Sequence, residues 1–267
     1  MILMSGVISV YTGNKILDHI LKVASFSQPT NLYISLYNGD PGGAGTECNG
    51  TEYKRILCNG WEEAASREVK NSAQIDFDEI ETNDWGTVDY VGIHDALTEG
   101  NLIGYVPLAE AYVTQLGDNL YIAAEALTIK WKAGGICNSW ANKSLDHVFK
   151  NDALSVPTNL YVGASKADPT DDASGLNEPS TGDYARKLHN NWNIAASKAT
   201  NNSGAITFAT ATASWEAAVT HFIISDSLDA VLEGNIIIHG ALGASKLIGN
   251  GDTLNFADKT LDVVIDE

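Results

Sequence analysis

The sequence predicts an all-β protein of two tandem β-sandwich domains with the same jelly-roll-like fold, each preceded by a short α-helix. Three observations support this prediction. The chain repeats itself, the segments between its turns follow a period of two, and one helical pattern opens each half. Short strands at regular spacing, without long helices between them, are typical of sandwiches and barrels.

The internal repeat is the strongest of these observations. The hexapeptide PTNLYI at 29–34 recurs as PTNLYV at 157–162. Leu17 recurs as Leu145, Trp61 as Trp192 and Glu99 as Glu233, so the offset grows from 128 to 131 and then to 134 residues. The matched blocks stay in order, and the length changes fall between them, where loops are expected. We therefore predict two domains, residues 1–135 and residues 136–267.

One helix is predicted at the start of each domain. Apolar residues recur at i, i+3 and i+4 over 14–26 and again over 141–151, which is the pattern of one buried helix face. Asn14 is a suitable N-cap for the first helix.

After each helix the apolar period becomes two, and β-branched and aromatic residues predominate, as in strands. Strands are predicted at 31–37, 54–57, 73–77, 87–94, 102–108 and 120–131, and at 159–164, 205–208, 219–225, 236–242 and 253–265. Glu-Gly-Asn at 99–101 and 233–235 predicts a hairpin turn in each domain. Four tryptophans that match between the halves are predicted to be core residues: Trp61, Trp85, Trp192 and Trp215.

Charge and composition exclude several classes of protein. With 34 acidic and 16 basic residues the net charge is −18, which repels phosphate backbones and argues against nucleic-acid partners. The first fifteen residues lack the pattern of a signal peptide, and no apolar run is long enough to cross a membrane. The cysteines, Cys48, Cys58 and Cys137, are odd in number, and the body of the second repeat has none, so we predict reduced thiols.

No sequence motif for catalysis is present, so we predict no enzyme, no catalytic residue, no cofactor and no metal site. His19 and His147 recur after an aspartate in the two helices, and duplication explains that recurrence without a site. The loop with Asp168, Asp171 and Asp172 offers three carboxylates to a calcium ion. A solvated turn is the favoured interpretation, because the first copy keeps only Asp40-Pro41 there. Calcium binding by this loop stays open.

The second copy contains a recognisable string, LYVGASKADPTDDASGLNEPSTGDYAR, followed by AITFATATASW and GDTLNF. It resembles a domain widespread among tailed-phage and prophage virion proteins, described as tail-fibre-like or minor structural proteins. The first copy matches more loosely and lacks the TDD-SG-EP loop. The second copy has Trp215-Glu216 where the family has Trp-Gly, whereas the first keeps Trp85-Gly86.

The resemblance implies a structural component of a tailed-phage virion, in the tail, a fibre or the capsid surface, which assembles in the host cytoplasm. The implied partners are other virion proteins and further copies of the chain, a trimer being favoured, with neither nucleic acid nor membrane. The alternative is an adhesin whose loops bind a host cell-surface glycan. A glycan-degrading enzyme is the least favoured reading. The apolar segment 1–10 is expected to pack on a neighbour or on its own domain.

Overall fold

The computed structural model describes residues 1–229 and 235–265. These residues form short strands in several sheets together with two short helices. The predicted all-β class, with one helix at the start of each repeat, is confirmed.

The chain folds into two compact units, and each of them includes the helical segment of the other repeat. Unit 1 contains Met1–Gly13, Ser27–Trp131 and Asn142–Leu154, and unit 2 contains Asn14–Phe26, Lys132–Ala141 and Ser155–Glu267. The repeat boundaries, 1–135 and 136–267, stay a prediction about the duplicated sequence. Most of each helix therefore packs in the unit that the other repeat forms.

The two helices are α1 (Val10–Ile20) and α2 (Asn138–Phe149), and both begin before the predicted positions. Ser9 is the N-cap of α1, because its Oγ accepts the N–H of Thr12 at 3.1 Å. The prediction of Asn14 as the N-cap is wrong. Asn14 lies inside α1, and its side chain accepts the N–H of Lys198 at 2.7 Å. In sequence, an asparagine with a long-range partner resembles an N-cap. The predicted start of the first helix is therefore too late.

Unit 1 contains ten strands, all shorter than thirteen residues. They are β1 (Gly6–Ile8), β2 (Tyr33–Asn38), β3 (Thr46–Glu47), β4 (Ile56–Leu57), β5 (Glu68–Lys70), β6 (Ile75–Glu79), β7 (Thr87–His94), β8 (Leu102–Val113), β9 (Asn119–Ile122) and β10 (Thr128–Lys130). Eight of them form one sheet in the order β3-β2-β7-β8-β1-β10-β5, with β4 paired to β2, while β6 pairs with β9.

Unit 2 repeats most of this arrangement, but its described residues form no strand equivalent to β1 or β3. Its strands are β11 (Tyr161–Ser165), β12 (Lys187–Leu188), β13 (Ala199–Asn201), β14 (Ile206–Thr207), β15 (Val219–Ser225), β16 (Ile236–Lys246), β17 (Asn255–Phe256) and β18 (Asp262–Val264). The sheet β12-β11-β15-β16 ends at β16, and β13-β18 and β14-β17 are separate pairs. The repeat offsets equate β18 with β10 and β16 with β8.

Several strand predictions match closely, and one kind of error recurs. The strands at 87–94 and 219–225 have the predicted bounds. The single strands predicted at 120–131 and 253–265 are wrong, because each is two strands around a turn. Asn71 holds the first turn by accepting the N–H of Leu127 and donating to the carbonyl of Ala123. Asn202 does the same in unit 2 with Leu261 and Ala257.

The cores contain the residues that were expected there. All four matched tryptophans are at most 6% exposed, which confirms them as core residues. The three cysteines are also buried, and burial raises the pKa of Cys48 to about 12 and that of Cys58 to about 11. Thiols with such pKa values are poor nucleophiles at neutral pH.

Turns and termini complete the comparison with the sequence. Glu99 and Gly100 have φ angles of 55° and 71°, and they lie in the hairpin connection between β7 and β8, where the N–H of Asp95 donates to the carbonyl of Asn101. Glu233 and Gly234 of the equivalent turn lie outside the described residues. The segment 1–10 packs on its own unit through β1, while Ile2 and Met4 stay 78% and 55% exposed.

Candidate functional site

A buried ion pair holds the loops at one end of unit 1. The side chain of Arg55 donates to both carboxylate oxygens of Glu47, at 2.9 and 2.7 Å, and Tyr53 donates to Glu47 at 3.1 Å. The remaining Nη1 of Arg55 donates to the carbonyl oxygens of Ala96 and Glu99, in the turn between β7 and β8. One guanidinium therefore ties the loop after β2 to the hairpin turn.

Unit 2 contains the same group of residues. Arg186 donates to both oxygens of Glu178, at 3.0 and 2.6 Å, and Tyr184 donates to Glu178 at 2.5 Å. Its Nη1 donates to Ser225 Oγ and to the carbonyl oxygen of Ser227. A bidentate pair of this kind fixes geometry as well as charge.

The electrostatics of the first group follow from its burial. Desolvation alone would raise the pKa of Glu47, but the hydrogen bonds and charge of Arg55 bring that pKa below its usual value. Burial raises the pKa of Tyr53, so this phenol stays protonated and donates. The sequence repeats Tyr53-Lys54-Arg55 as Tyr184-Ala185-Arg186, but no sequence motif gives these residues a role. The signal was a repeated tyrosine and arginine beside a repeated glutamate.

A polar cluster in unit 2 lines an open groove of about 560 Å³. Both ring nitrogens of His239 face carboxylates: Nε2 lies 3.1 Å from Asp171 Oδ1, and Nδ1 lies 3.6 Å from Asp168 Oδ1. The same Asp168 oxygen lies 4.0 Å from His221 Nε2, and Asp171 also accepts the N–H of Gly134. These groups can hold positively charged or hydrogen-bonding atoms.

The equivalent positions of unit 1 have a different chemistry. Tyr90 and Tyr105 stand where unit 2 has His221 and His239, and their rings lie 6.4 Å apart. Tyr105 fills the space beside Gly42, where a Cβ would approach the phenol oxygen to 2.6 Å. The groove of unit 2 is thus polar where unit 1 is closed by aromatic rings.

The three aspartates of the loop in which calcium binding stayed open each interact with neighbouring groups of the protein. Asp168 accepts the N–H of Thr170 at 3.0 Å, and Asp171 faces His239. Asp172 accepts hydrogen bonds from Thr170 and Ser174, which lower its pKa to about 2. Within residues 1–229 and 235–265 no group of three His, Cys, Asp or Glu side chains is arranged to hold a metal ion.

The two recurring histidines support the loop that follows each helix. His19 Nδ1 accepts the N–H of Phe26 at 3.0 Å, and His147 Nδ1 accepts the N–H of Leu154 at 3.1 Å. Both rings are buried. Their recurrence therefore has a structural explanation.

Each helix recognises a tight turn through an aspartate and an asparagine. In unit 2, Asp18 accepts the N–H of Ala195 at 2.7 Å, next to the bond from Lys198 to Asn14. In unit 1, Asp146 accepts the N–H of Ala64 and Asn142 accepts the N–H of Arg67, both at 2.8 Å. The hydrogen bonds of the two helices are made by equivalent residues. Each of these bonds joins a helix of one repeat to a turn of the other repeat.

The loops of unit 1 form a second, smaller depression of about 280 Å³. Asn38, Asn49, Asp84 and Trp85 are among its lining residues. Amide and carboxylate groups beside an aromatic ring can bind hydroxyl-rich ligands.

No helix in the described part of the chain is long and apolar enough to span a membrane.

Comparison with known families agrees with this duplicated architecture. Residues 7–130 and residues 135–264 each match one family model, described as podophage GP4 fiber I protein gp80. The comparison with curated proteins gave no match. Two matches to one model confirm the two tandem copies, and together they span most of the 267 residues. The chain therefore belongs to the podophage GP4 fiber I protein gp80 family, a family of phage fibre proteins, and carries two tandem copies of its domain.

Proposed function

We propose that the chain is a structural subunit of a tailed-phage virion and acts through protein–protein assembly. The observation that carries the proposal is the match of both repeats to one fibre family. The fold supports it, because arginine–glutamate pairs fix the loops of each unit and the helices join residues of both repeats. Such rigid, duplicated surfaces are suited to repeated contacts in a particle.

The proposal extends to partners and location. The partners are other virion proteins and further copies of this chain, arranged with the closed rotational symmetry that is common among homo-oligomers, and a trimer is the favoured assembly. Assembly takes place in the host cytoplasm, and the chain has no enzymatic activity, cofactor or nucleic-acid partner. The charge of −18 keeps the free subunit soluble and restricts contacts to less acidic surfaces.

The experiment is immunoelectron microscopy of purified particles with antibodies against the chain, with particles that lack its gene as the control. Label at the tail, a fibre or the capsid surface is expected, and light scattering of the isolated chain gives its oligomeric state. Absence of the chain from purified particles would overturn the proposal.

A second candidate is an adhesin that binds a cell-surface glycan through its loops. The depression around Asn49 and Trp85 in unit 1 favours it, since its groups suit sugar hydroxyls. Glycan-array binding of the wild type should be lost in Asn49→Ala and kept in Asn119→Ala, which alters an exposed residue of β9 outside this depression. Equal binding by both variants would exclude this depression as the site.

A further inference from the structure

In unit 1 the N-terminal segment fills the space between β8 and β10. Strand β1 pairs antiparallel with β8, where Val7 lies opposite Tyr105, and parallel with β10, where Gly6 lies opposite Ile129. The pairing continues towards the N-terminus. Met4 donates to the carbonyl of Pro107, and Ala109 donates to the carbonyl of Ile2, both at 2.9 Å. Residues 1–8 thereby join the two parts of the eight-stranded sheet.

In unit 2 this pairing stops after three residues. Cys137 donates to the carbonyl of Ile237, as the equivalent Ser9 donates to Ile103 in unit 1. His239 donates to the carbonyl of Gly135, the residue equivalent to Val7. The chain then turns away at Gly134 and Gly135, whose φ angles are 95° and 75°. In the described part of unit 2, no strand equivalent to β1 lies between β16 and β18. Strand β16 is therefore the last strand of its sheet, and β18 forms a two-stranded sheet with β13.

The interruption leaves a groove along β16 and β18. The polar groove described above is lined by Gly240, Ala241, Asp262 and Val264, and a second opening of about 360 Å³ continues from it past Leu242 and Gly243. Phe222, Ala241 and Asp262 line both. Its position is that of residues 1–6 in unit 1.

We propose that this groove of unit 2 accepts an extended strand from another protein, which pairs antiparallel with β16 and parallel with β18. Addition of a strand to an open sheet edge is a general mode of peptide recognition. The carbonyl of Ala241 and the N–H of Gly243 are the equivalents of the groups that bind residues 2–4 in unit 1. Unit 1 therefore supplies the template for register and direction.

The number of strands decides between another protein and a second copy. Among residues 1–229 and 235–265 two such positions lie between β8 and β10 and between β16 and β18, and one segment of the required kind, Met1–Ile8, fills the first. A second copy that donated this segment would open its own unit 1. That the donor is a virion protein rests on the proposed function, whereas the groove itself does not.

The lining also sets the chemistry of the donor strand. In unit 1, Gly6 is required because a Cβ there would come within 2.3 Å of the carbonyl oxygen of Tyr105 and within 2.4 Å of Val106. His239 supplies the equivalent carbonyl in unit 2, so a donor strand also needs glycine at this position, while Phe222, Ala241 and Leu242 give the groove an apolar lining. Asp262 is exposed at the position equivalent to Thr128, one residue before the partner of Gly6. We expect an apolar strand with a basic residue beside Asp262.

The test uses fluorescent synthetic peptides and the full chain. One peptide has the sequence of residues 1–6, and the other carries Ser5→Lys, which places a basic residue beside Asp262. Gly243→Pro removes the N–H that would pair with the donor, while Gly243→Ala keeps it, and a Cβ at Gly243 meets nothing within 4 Å. Fluorescence anisotropy gives the affinities, and melting temperatures confirm that both variants fold.

Each peptide should bind wild type and Gly243→Ala with the same affinity, and it should bind Gly243→Pro about tenfold more weakly. The Ser5→Lys peptide should bind more tightly than the other, and Asp262→Asn should remove that difference. Three results would overturn the proposal: no binding to wild type, equal binding to Gly243→Pro, or self-association of the chain that Gly243→Pro abolishes. The third would identify a second copy as the occupant. None of them bears on whether the chain is part of the virion.

Discussion

Units 1 and 2 share their internal supports but differ at one sheet edge. Both have the buried arginine–glutamate pair, the asparagine that holds the turn before the last strand, and the aspartate that joins helix to turn. They differ where β1 fills unit 1 and a groove opens in unit 2, and where two tyrosines are replaced by His221 and His239. The duplication therefore kept the framework in both copies, and the changes collect around one potential contact surface.

The largest expected effect tests whether the framework is equally important in both units. Arg55→Ala and Arg186→Ala should each destabilise the protein by about 3–5 kcal/mol, because each leaves a largely buried glutamate unpaired. Chemical unfolding followed by circular dichroism measures the change.

The control for this prediction is an exposed ion pair. Lys54 and Asp78 have side chains that are 60% and 49% exposed, so Lys54→Ala should cost less than about 1 kcal/mol. A loss as small for Arg186→Ala as for Lys54→Ala would show that unit 2 does not depend on its pair.

The second prediction concerns a residue that differs between the units and lies beside the buried arginine–glutamate pair. His94 of unit 1 occupies the position of Ser225 in unit 2, and burial lowers the pKa of His94 to about 4. The unfolded chain binds a proton near pH 6.5, whereas the folded chain resists protonation down to pH 4. Stability is therefore lost as the pH falls from 6.5 to 4, by up to about 3 kcal/mol.

His94→Ser, which installs the residue of unit 2, should remove this part of the acid sensitivity. His189 of unit 2 also has a pKa lowered by burial, so some sensitivity of the same sign should remain. Melting temperatures at pH 7 and pH 4.5 provide the measurement. Identical pH dependence in wild type and His94→Ser would contradict the assigned role of His94.

The sequence was sufficient for what depends on local pattern. The repeat, the period-two strands and the hairpin residues Glu99 and Gly100 all follow from short-range constraints on the backbone. The resemblance also identified the family. The sequence was insufficient where a side chain has a distant partner. The local pattern favours Asn14 as an N-cap because its true partner, Lys198, lies in the other repeat, and the role of Asn71 in dividing 120–131 into two strands has no local signature.

The exchange of helical segments was not predictable for the same reason. Asp18 and Asp146 have matching surroundings in sequence, so nothing local tells which tight turn each will bind. The groove of unit 2 was hidden as well. The groove arises because the chain turns away from β16 at Gly134 and Gly135. Only comparison with β1, which pairs with β8 and β10 in unit 1, reveals the absent strand.

The third prediction tests the exchange directly. Asp18→Ala leaves the N–H of Ala195 without its acceptor and should cost about 1–3 kcal/mol. Hydrogen exchange should accelerate at Ala195 in unit 2, although Asp18 belongs to the first repeat, and Asp146→Ala should have this effect at Ala64 in unit 1. Asp18→Asn retains an acceptor oxygen and is the matched control. Faster exchange at Ala64 in Asp18→Ala would show that the helix packs on the turn of its own repeat.

The smallest expected effect concerns the residue after the matched tryptophans, which is Gly86 in unit 1 and Glu216 in unit 2. Both have positive φ angles, 86° and 71°, a region that favours glycine. Glu216 offsets this cost by pairing with Lys166 and accepting a hydrogen bond from Ser180.

Glu216→Ala loses these partners and keeps the strained backbone, whereas Glu216→Gly loses the partners and relieves the backbone strain. Glu216→Gly should therefore melt above Glu216→Ala and close to wild type, with high salt narrowing the gap between wild type and both variants. If the two variants melt at the same temperature, backbone strain does not distinguish the units at this position.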